Sequence, residues 1–153
     1  MKSIQKLFKV FLDTSALLSG LNSPFGASGF IISLFKLNKI ITVISPEVIS
    51  EAEKAIKNKF PLLKIPFLDF LASQPIITQE LAPKEVKSAY KIINSEDTPI
   101  LAGAIKGKVD FLVTLDKKFQ ELAKNKVRFK ILSPGKFLEE YRKSLKEVQL
   151  QAR

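Results

Sequence analysis

Asn94-Ser95-Glu96-Asp97-Thr98-Pro99-Ile100-Leu101-Ala102-Gly103-Ala104-Ile105 runs almost directly into Val109-Asp110-Phe111-Leu112-Val113-Thr114-Leu115-Asp116. The first half reads as a helix in which Ile100, Leu101 and Ala104 follow Asp97 by three, four and seven residues, so the carboxylate shares the face turned toward the core. The second half reads as a buried strand that ends on another acid. An ionised carboxylate among apolar neighbours needs a cationic partner, and this strand supplies none. A bound metal ion would resolve the conflict.

The chain has 153 residues, 46% of them hydrophobic, which is enough for one folded domain with a proper core. It has no Cys, no His and no Trp. Disulfides, thiolate nucleophiles, sulfur-ligated zinc and an imidazole general base are therefore excluded. Any catalysis must run on carboxylates, hydroxyls or lysines, and such oxygen ligands suit hard cations such as Mg²⁺ or Mn²⁺. Lys2, Lys6 and Lys9 are not followed by an apolar run of leader length. The apolar stretch Phe30 to Ile44 is broken by Lys36, Asn38 and Lys39, short of the ~20 apolar residues a spanning helix needs. The expectation is a soluble, cytoplasmic protein without a membrane partner.

Net charge is +10, and the residues after Asp116 hold eleven Lys or Arg against four Glu. That excess suits a polyanion such as nucleic acid, although it also describes a lysine-rich solvated surface. Lysine predominance favours general phosphate attraction over bidentate base readout.

In chain order, Lys9 to Leu12 reads as a buried strand ending on Asp13-Thr14-Ser15. A turn-rich segment, Gly20 to Gly29, leads into a helix over Ala27 to Leu37, and Ile40 to Ile44 is a second strand. Ser45-Pro46-Glu47 opens a helix to about Asn58. Its inner residues are Val48, Ala52, Ala55 and Ile56, with Glu51 at the margin as its one acid aimed near the core and Glu47 farther round toward solvent. Phe60 to Ala72 reads as a short helix or helical hairpin, Pro75 to Thr78 as a third strand, and Pro83 to Ile93 as a helix leading to the Asp97 helix, which stops near Gly107. Then come a strand at Phe111 to Thr114, a helix over Lys117 to Asn125, a strand at Phe129 to Leu132 and a closing helix from Pro134 to about Lys146. Strands alternating with helices predict an α/β fold of three layers, a parallel sheet of about five strands covered on both faces.

In open parallel sheets ligands bind beyond the carboxyl ends of the strands, where strand order reverses. Asp13 and Asp116 belong at that end, and Asp97, at a helix start, can reach it, as can Glu51. Asp110 opens its strand six residues before Asp116, roughly 20 Å away at ~3.3 Å per residue. Each acid taken alone also reads as a helix cap or a surface acid. Four from separate segments at one end of one sheet suggest a shared cation.

Val10-Phe11-Leu12-Asp13-Thr14-Ser15-Ala16-Leu17-Leu18, Ser45-Pro46-Glu47-Val48-Ile49-Ser50-Glu51, Asp97-Thr98-Pro99-Ile100-Leu101-Ala102 and Phe111-Leu112-Val113-Thr114-Leu115-Asp116 resemble, in order and spacing, the motifs of the PIN domain. The resemblance covers Lys9 to about Tyr141 and is nearest to the bacterial and archaeal members classed as toxins of toxin–antitoxin modules. It implies a metal-dependent ribonuclease using one or two Mg²⁺ or Mn²⁺ ions, with Asp13, Glu51, Asp97 and Asp116 as catalytic and metal-binding residues and Ser15 and Thr114 in support. It also implies an RNA substrate, a small antitoxin protein and a homodimer. Lys117, Lys118, Lys124, Lys126 and Arg128 are the candidates for holding the RNA backbone. Two positions depart from the family pattern. Lys118 stands where many members carry a further Asp, and Ser15 where Asn is frequent. Glu96 is a further candidate ligand beside Asp97. The rival readings are a non-catalytic PIN-like binding module, favoured by Lys118, and a phosphoryl-transfer protein of the haloacid dehalogenase or receiver type, which would need a second acid near Ser15.

Overall fold

The computed structural model describes residues 6–152; the reading of residues 1–5 as carrying no leader lies outside them. Val10, Phe11 and Leu12 are almost wholly buried, as are Phe111, Leu112 and Val113, the signature of central parallel strands covered on both faces. These form β1 (Lys9–Leu12) and β4 (Phe111–Val113). The remaining strands are β2 (Ile41–Ile44), β3 (Ile76–Ile77) and β5 (Lys130–Leu132). All pair in parallel in the order β3-β2-β1-β4-β5, the expected five-stranded sheet. The third strand is two residues long rather than four. It lies at the sheet edge, where Ile76 and Ile77 pack on one neighbour only and remain exposed.

Eight α-helices and one 3-10 turn flank this sheet among the described residues. The first, α1 (Thr14–Asn22), is absent from the sequence reading, which takes Gly20 to Gly29 as turn-rich. Only residues 23–26 turn. Both glycines sit inside helices, Gly20 in α1 and Gly29 in α2 (Ala27–Lys36), which meet at 90°. A Cβ on Gly29 would stand 2.3 Å from the Pro24 carbonyl oxygen, and one on Gly20 2.9 Å from the Ser28 carbonyl oxygen. Gly20 lacks a Cβ where α2 closes on α1, and Gly29 where the backbone of the connecting turn at Ser23 and Pro24 passes against α2; neither is itself a turn residue.

Then follow α3 (Pro46–Asn58), the 3-10 turn Pro61–Leu63, α4 (Lys64–Ala72), α5 (Pro83–Ile92), α6 (Thr98–Lys106), α7 (Lys117–Ala123) and α8 (Pro134–Gln151). Serine hydroxyls cap α3 and α8, Ser45 accepting from the Val48 N–H at 3.3 Å and Ser133 from the Lys136 N–H at 3.2 Å. The last helix runs beyond the expected Lys146 because residues 146–151 hold neither Gly nor Pro to stop it. The helix after β4 is shorter than expected, ending before a turn in which Asn125 is left-handed at φ 63°.

On one face of the sheet Phe111 meets Phe137 of α8 edge-on at 5.2 Å, and Phe35 of α2 meets Phe70 of α4 at 5.4 Å. On the other, α6 lies over Phe11 and Val43, which come within reach of Gly103 and Gly107. No single helix among the described residues is long and apolar enough to cross a membrane.

The α1–α2 corner gives a direct test. Gly29→Ala is expected to destabilise the protein by about 1–3 kcal/mol in urea unfolding, whereas Gly135→Ala, whose added methyl meets nothing within 4 Å, is expected to be neutral or stabilising. Equal stability of the two variants would refute the close approach.

Candidate active site

Connections leave β1 toward β2 and β3, then the chain returns across the sheet to β4. The loops after β1 and β4 therefore diverge and open a crevice at the carboxyl ends of the two central strands. Asp13 follows β1 at once, and Asp116 lies three residues beyond Val113, the last residue of β4.

One hydroxyl links them. Thr114, fully buried, donates its proton to Asp13 Oδ2 at 2.7 Å and accepts from the Asp116 N–H at 3.1 Å. Because that proton is committed, Ser15 is the donor in the longer 3.5 Å contact between the two hydroxyls, and Ser15 Oγ in turn accepts from the Leu115 N–H at 3.2 Å. Asp13 Oδ1 accepts from the Thr14 N–H at 2.7 Å at the start of α1, and Asp116 Oδ1 from the Phe119 N–H at 3.1 Å at the start of α7. Both acids thus cap helices and also face the crevice, so the two readings of each coexist.

Glu51 arrives from α3, which packs beside α1. Its Oε2 accepts from Thr14 Oγ1 at 2.7 Å. It is exposed rather than turned toward the core, because its side of the helix borders α1 and not the sheet. Glu47, expected toward solvent, is instead half-buried, with Oε2 shielded and without a hydrogen-bond partner.

Asp97 stands at the N-cap of α6, yet no backbone N–H is bonded to its side chain. The middle of α6 passes the start of α3, since a Cβ on Gly103 would sit 3.0 Å from Ser45 Cβ. Burial raises the Asp97 pKa from its ordinary 3.8 to about 6, with the charges of Asp13, Asp116, Glu96 and Glu51 adding to the rise. Asp13 is also raised, by burial first and by Glu51 and Asp116 in addition, against the lowering effect of its bonds from Thr114 and Thr14. The structure therefore brings Asp13, Glu51, Asp97 and Asp116 within electrostatic reach of one another. The ion pairs among the described residues are Lys36–Asp69, Lys106–Glu85, Lys130–Glu140 and Lys136–Glu139, and none involves these four acids.

Carboxylates supported by hydroxyls, without imidazole or thiolate, form a donor set suited to a hard divalent cation. In the side-chain positions seen, no three acids among the described residues are grouped closely enough to hold an ion. The fit is therefore one of donor chemistry and unrelieved charge. A cation would draw together carboxylates that now repel.

The basic candidates divide. Lys117 and Lys118 are exposed on the first turn of α7, beside Asp116. Lys124, Lys126 and Arg128 lie in the loop entering β5, at the amino end of the sheet and away from the acids. Seven residues of α7, about 10 Å at 1.5 Å per residue, carry the chain back to that end. Thr14, which fixes Glu51, is missing from the sequence-based site. The signal for it is a hydroxyl in the first turn of a helix opening directly on a candidate acid.

The family model described as PIN domain matches residues 9–118, a span containing all four acids and ending on Lys118. Among solved structures the chain is similar to PAE2754 from Pyrobaculum aerophilum, with 16% identity, a TM-score of 0.62 and coverage of 86% of this chain and 88% of that one. It is also similar to VapBC2 from Rickettsia felis, bound in that structure to a DNA fragment from their promoter. Here the identity is 19%, the TM-score 0.60, and coverage 82% of this chain and 97% of that one. No curated protein matches the sequence significantly.

The raised acids predict a pH dependence. Asp13 and Asp97 bind protons more tightly folded than unfolded, so their stabilising contribution is complete below the ordinary 3.8 and is lost as pH rises through their raised folded values, about 6 for Asp97. In metal-free buffer the melting temperature is expected to fall across that window. Asp97→Asn is expected to remove part of the fall and raise stability at pH 7 by up to about 1 kcal/mol, solvent screening discounted. A flat profile, or a destabilised Asn variant, would contradict the electrostatic reading.

Proposed function

The chain belongs to the PIN domain family, and from that premise we propose that it is a metal-dependent endoribonuclease acting as the toxin of a toxin–antitoxin pair. PIN domains are generally nucleases and typically use divalent metals. The observation that carries the reading is the Asp97 carboxylate. It makes no capping bond, and burial, with the charges of four neighbouring acids added, raises its pKa to about 6. An acid serving only as a cap would use an oxygen on a backbone N–H; both oxygens of Asp97 stay free of such bonds.

Asp13, Asp97 and Asp116 would hold one or two Mg²⁺ or Mn²⁺ ions, with Glu51 as a further ligand or as the group that positions water. When bound, such an ion lowers the pKa of water and neutralises charge developing on a phosphodiester, which suits a chain without histidine. The protein's own contribution is orientation. Thr114 fixes Asp13 and the backbone of Asp116 through one hydroxyl, Thr14 fixes Glu51, and Ser15 holds the Leu115 backbone. Lys117 and Lys118, exposed beside Asp116, would meet a phosphate oxygen of the substrate.

The likeness to VapBC2 supports a small antitoxin as partner. A homodimer, a cytoplasmic location and an RNA substrate belong to the same proposal. A second reading, a non-catalytic module that binds RNA or protein, is favoured by Lys118, which places a cation where many members have an acid. The phosphatase and receiver readings fall with family membership.

The test is cleavage of a panel of structured and single-stranded RNAs with Mg²⁺ or Mn²⁺. Chelator is expected to abolish cleavage, and Asp97→Asn to lower kcat/KM by at least about 100-fold, equivalent to about 2.7 kcal/mol, while leaving the fold intact. An equally active Asn variant, or cleavage that survives chelation, would overturn the assignment. Absent cleavage with RNA binding retained would favour the second reading.

A further inference from the structure

The amino ends of the strands carry a surface that the acid crevice does not use. Two loops meet there. One enters β4 and presents Lys108; the other enters β5 and presents Lys124, Lys126 and Arg128. The strands they enter are paired in register, Phe111 opposite Lys130, so the two loops lie side by side. All four cations are exposed, and none takes part in the ion pairs found among the described residues.

Between the loops lies a cavity of about 600 Å³, bordered by Lys108, Lys126 and Arg128 over an apolar floor that includes Ile105 and the half-buried Phe129. On the other side of residues 127–129 a second cavity of about 580 Å³ is bordered by Lys124, Arg128, Lys130 and Lys136, with Glu121 and Glu140 also on its wall. The last two of those cations are already paired, with Glu140 and Glu139. Arg128 therefore stands on a ridge between two basic-edged grooves, with unpaired charge on either side.

We propose that this face is an exosite for the phosphate backbone of RNA, separate from the acid crevice and acting as the main source of substrate affinity; the inference rests on the ribonuclease reading. The argument is electrostatic. Asp13, Glu51, Glu96, Asp97 and Asp116 gather at the carboxyl end of the sheet, and that concentration of negative charge repels the polyanion it would have to cut. Binding energy for such a substrate has to be supplied by a part of it remote from the scissile bond. The unpaired cations at the opposite end supply it, and apolar and aromatic surface beneath them offers contact to bases. The strand interval from Asp110 to Asp116 separates the two ends by roughly 20 Å. Only an RNA that reaches over that distance engages both, so the exosite selects extended or structured RNAs over short fragments.

Binding is measured on the full chain in chelator, where cleavage plays no part, by fluorescence anisotropy of a labelled stem–loop RNA over a series of KCl concentrations. In the triple variant Lys108→Gln, Lys126→Gln, Arg128→Gln the slope of log affinity against log salt is expected to shrink by about three, one per cation removed. An equal loss of charge elsewhere, Lys54→Gln, Lys57→Gln, Lys64→Gln, is expected to change it by less than about one. The charge-keeping variant Lys108→Arg, Lys126→Arg, Arg128→Lys is expected to bind as the parent does, which separates loss of charge from loss of fold. Equal effects of the two neutralising triples, or no effect of the first, would overturn the exosite. So would polyglutamate displacing the RNA as effectively as unlabelled RNA of equal charge, because the face would then be one for acidic polypeptides. A chain that binds RNA in the expected way and never cuts it overturns the ribonuclease reading alone, whereas one that cuts RNA while both triples bind alike overturns the exosite alone.

Discussion

The Thr114 hydroxyl, donating to Asp13 at 2.7 Å and accepting from the Asp116 N–H at 3.1 Å, ties the end of β1 to the end of β4. Those strands are neighbours in space but about a hundred residues apart in the chain. They become neighbours only because the sheet order reverses between them, and the reversal is also what opens the crevice. One buried hydroxyl thus spans the topological switch and sets the spacing of two acids. Without it, Asp13 would keep its bond from the Thr14 N–H but lose the side-chain bond that opposes the raising of its pKa. The site depends on that single bond more than on any ion pair, since none of its acids takes part in the ion pairs found among the described residues.

What the sequence discloses of this arrangement follows from how local each signal is. Val10 to Leu12 and Phe111 to Val113 are legible as central strands because burial on both faces demands an unbroken apolar run. Ser45-Pro46 is legible as a helix start because capping is a matter of adjacent residues. Gly20 and Gly29 mislead because a turn and a close approach of backbone, from the crossing helix at Gly20 and from the connecting turn at Gly29, both favour the absence of a Cβ, and composition does not distinguish them. Glu51 was expected on the strength of helical phase, but what holds it is Thr14, thirty-seven residues earlier, and no periodicity within α3 reports that. Lys124, Lys126 and Arg128 read in the sequence as candidates for the RNA backbone together with Lys117 and Lys118; α7 separates them in space from the acids by returning the chain to the other end of the sheet.

Charge is consequently uneven along the strands, with five acids gathered at the carboxyl ends and four exposed cations on the loops at the amino ends of β4 and β5. A net charge of +10 conceals this, because a sum carries no direction. Association with a polyanion is steered by the field at long range and by individual contacts at short range. At a distance the excess of lysine dominates. Close to the crevice the acids dominate, and the approach becomes favourable there only when their charge is offset.

That last condition gives the acids' stability cost a functional sense. Asp97 is half-buried and uncapped, and burial, with the charges of its neighbours added, raises it to about 6, so at neutral pH the fold holds a charge it would be more stable without. A residue selected only to start α6 would accept a backbone N–H, and Asp13 and Asp116 show that this chain makes such caps where they serve. Leaving Asp97 unbonded keeps two carboxylate oxygens available at the cost of repulsion, and any cation entering the crevice recovers that repulsion as affinity. The repulsion among the acids of the ligand-free protein therefore contributes directly to the attraction for a hard ion.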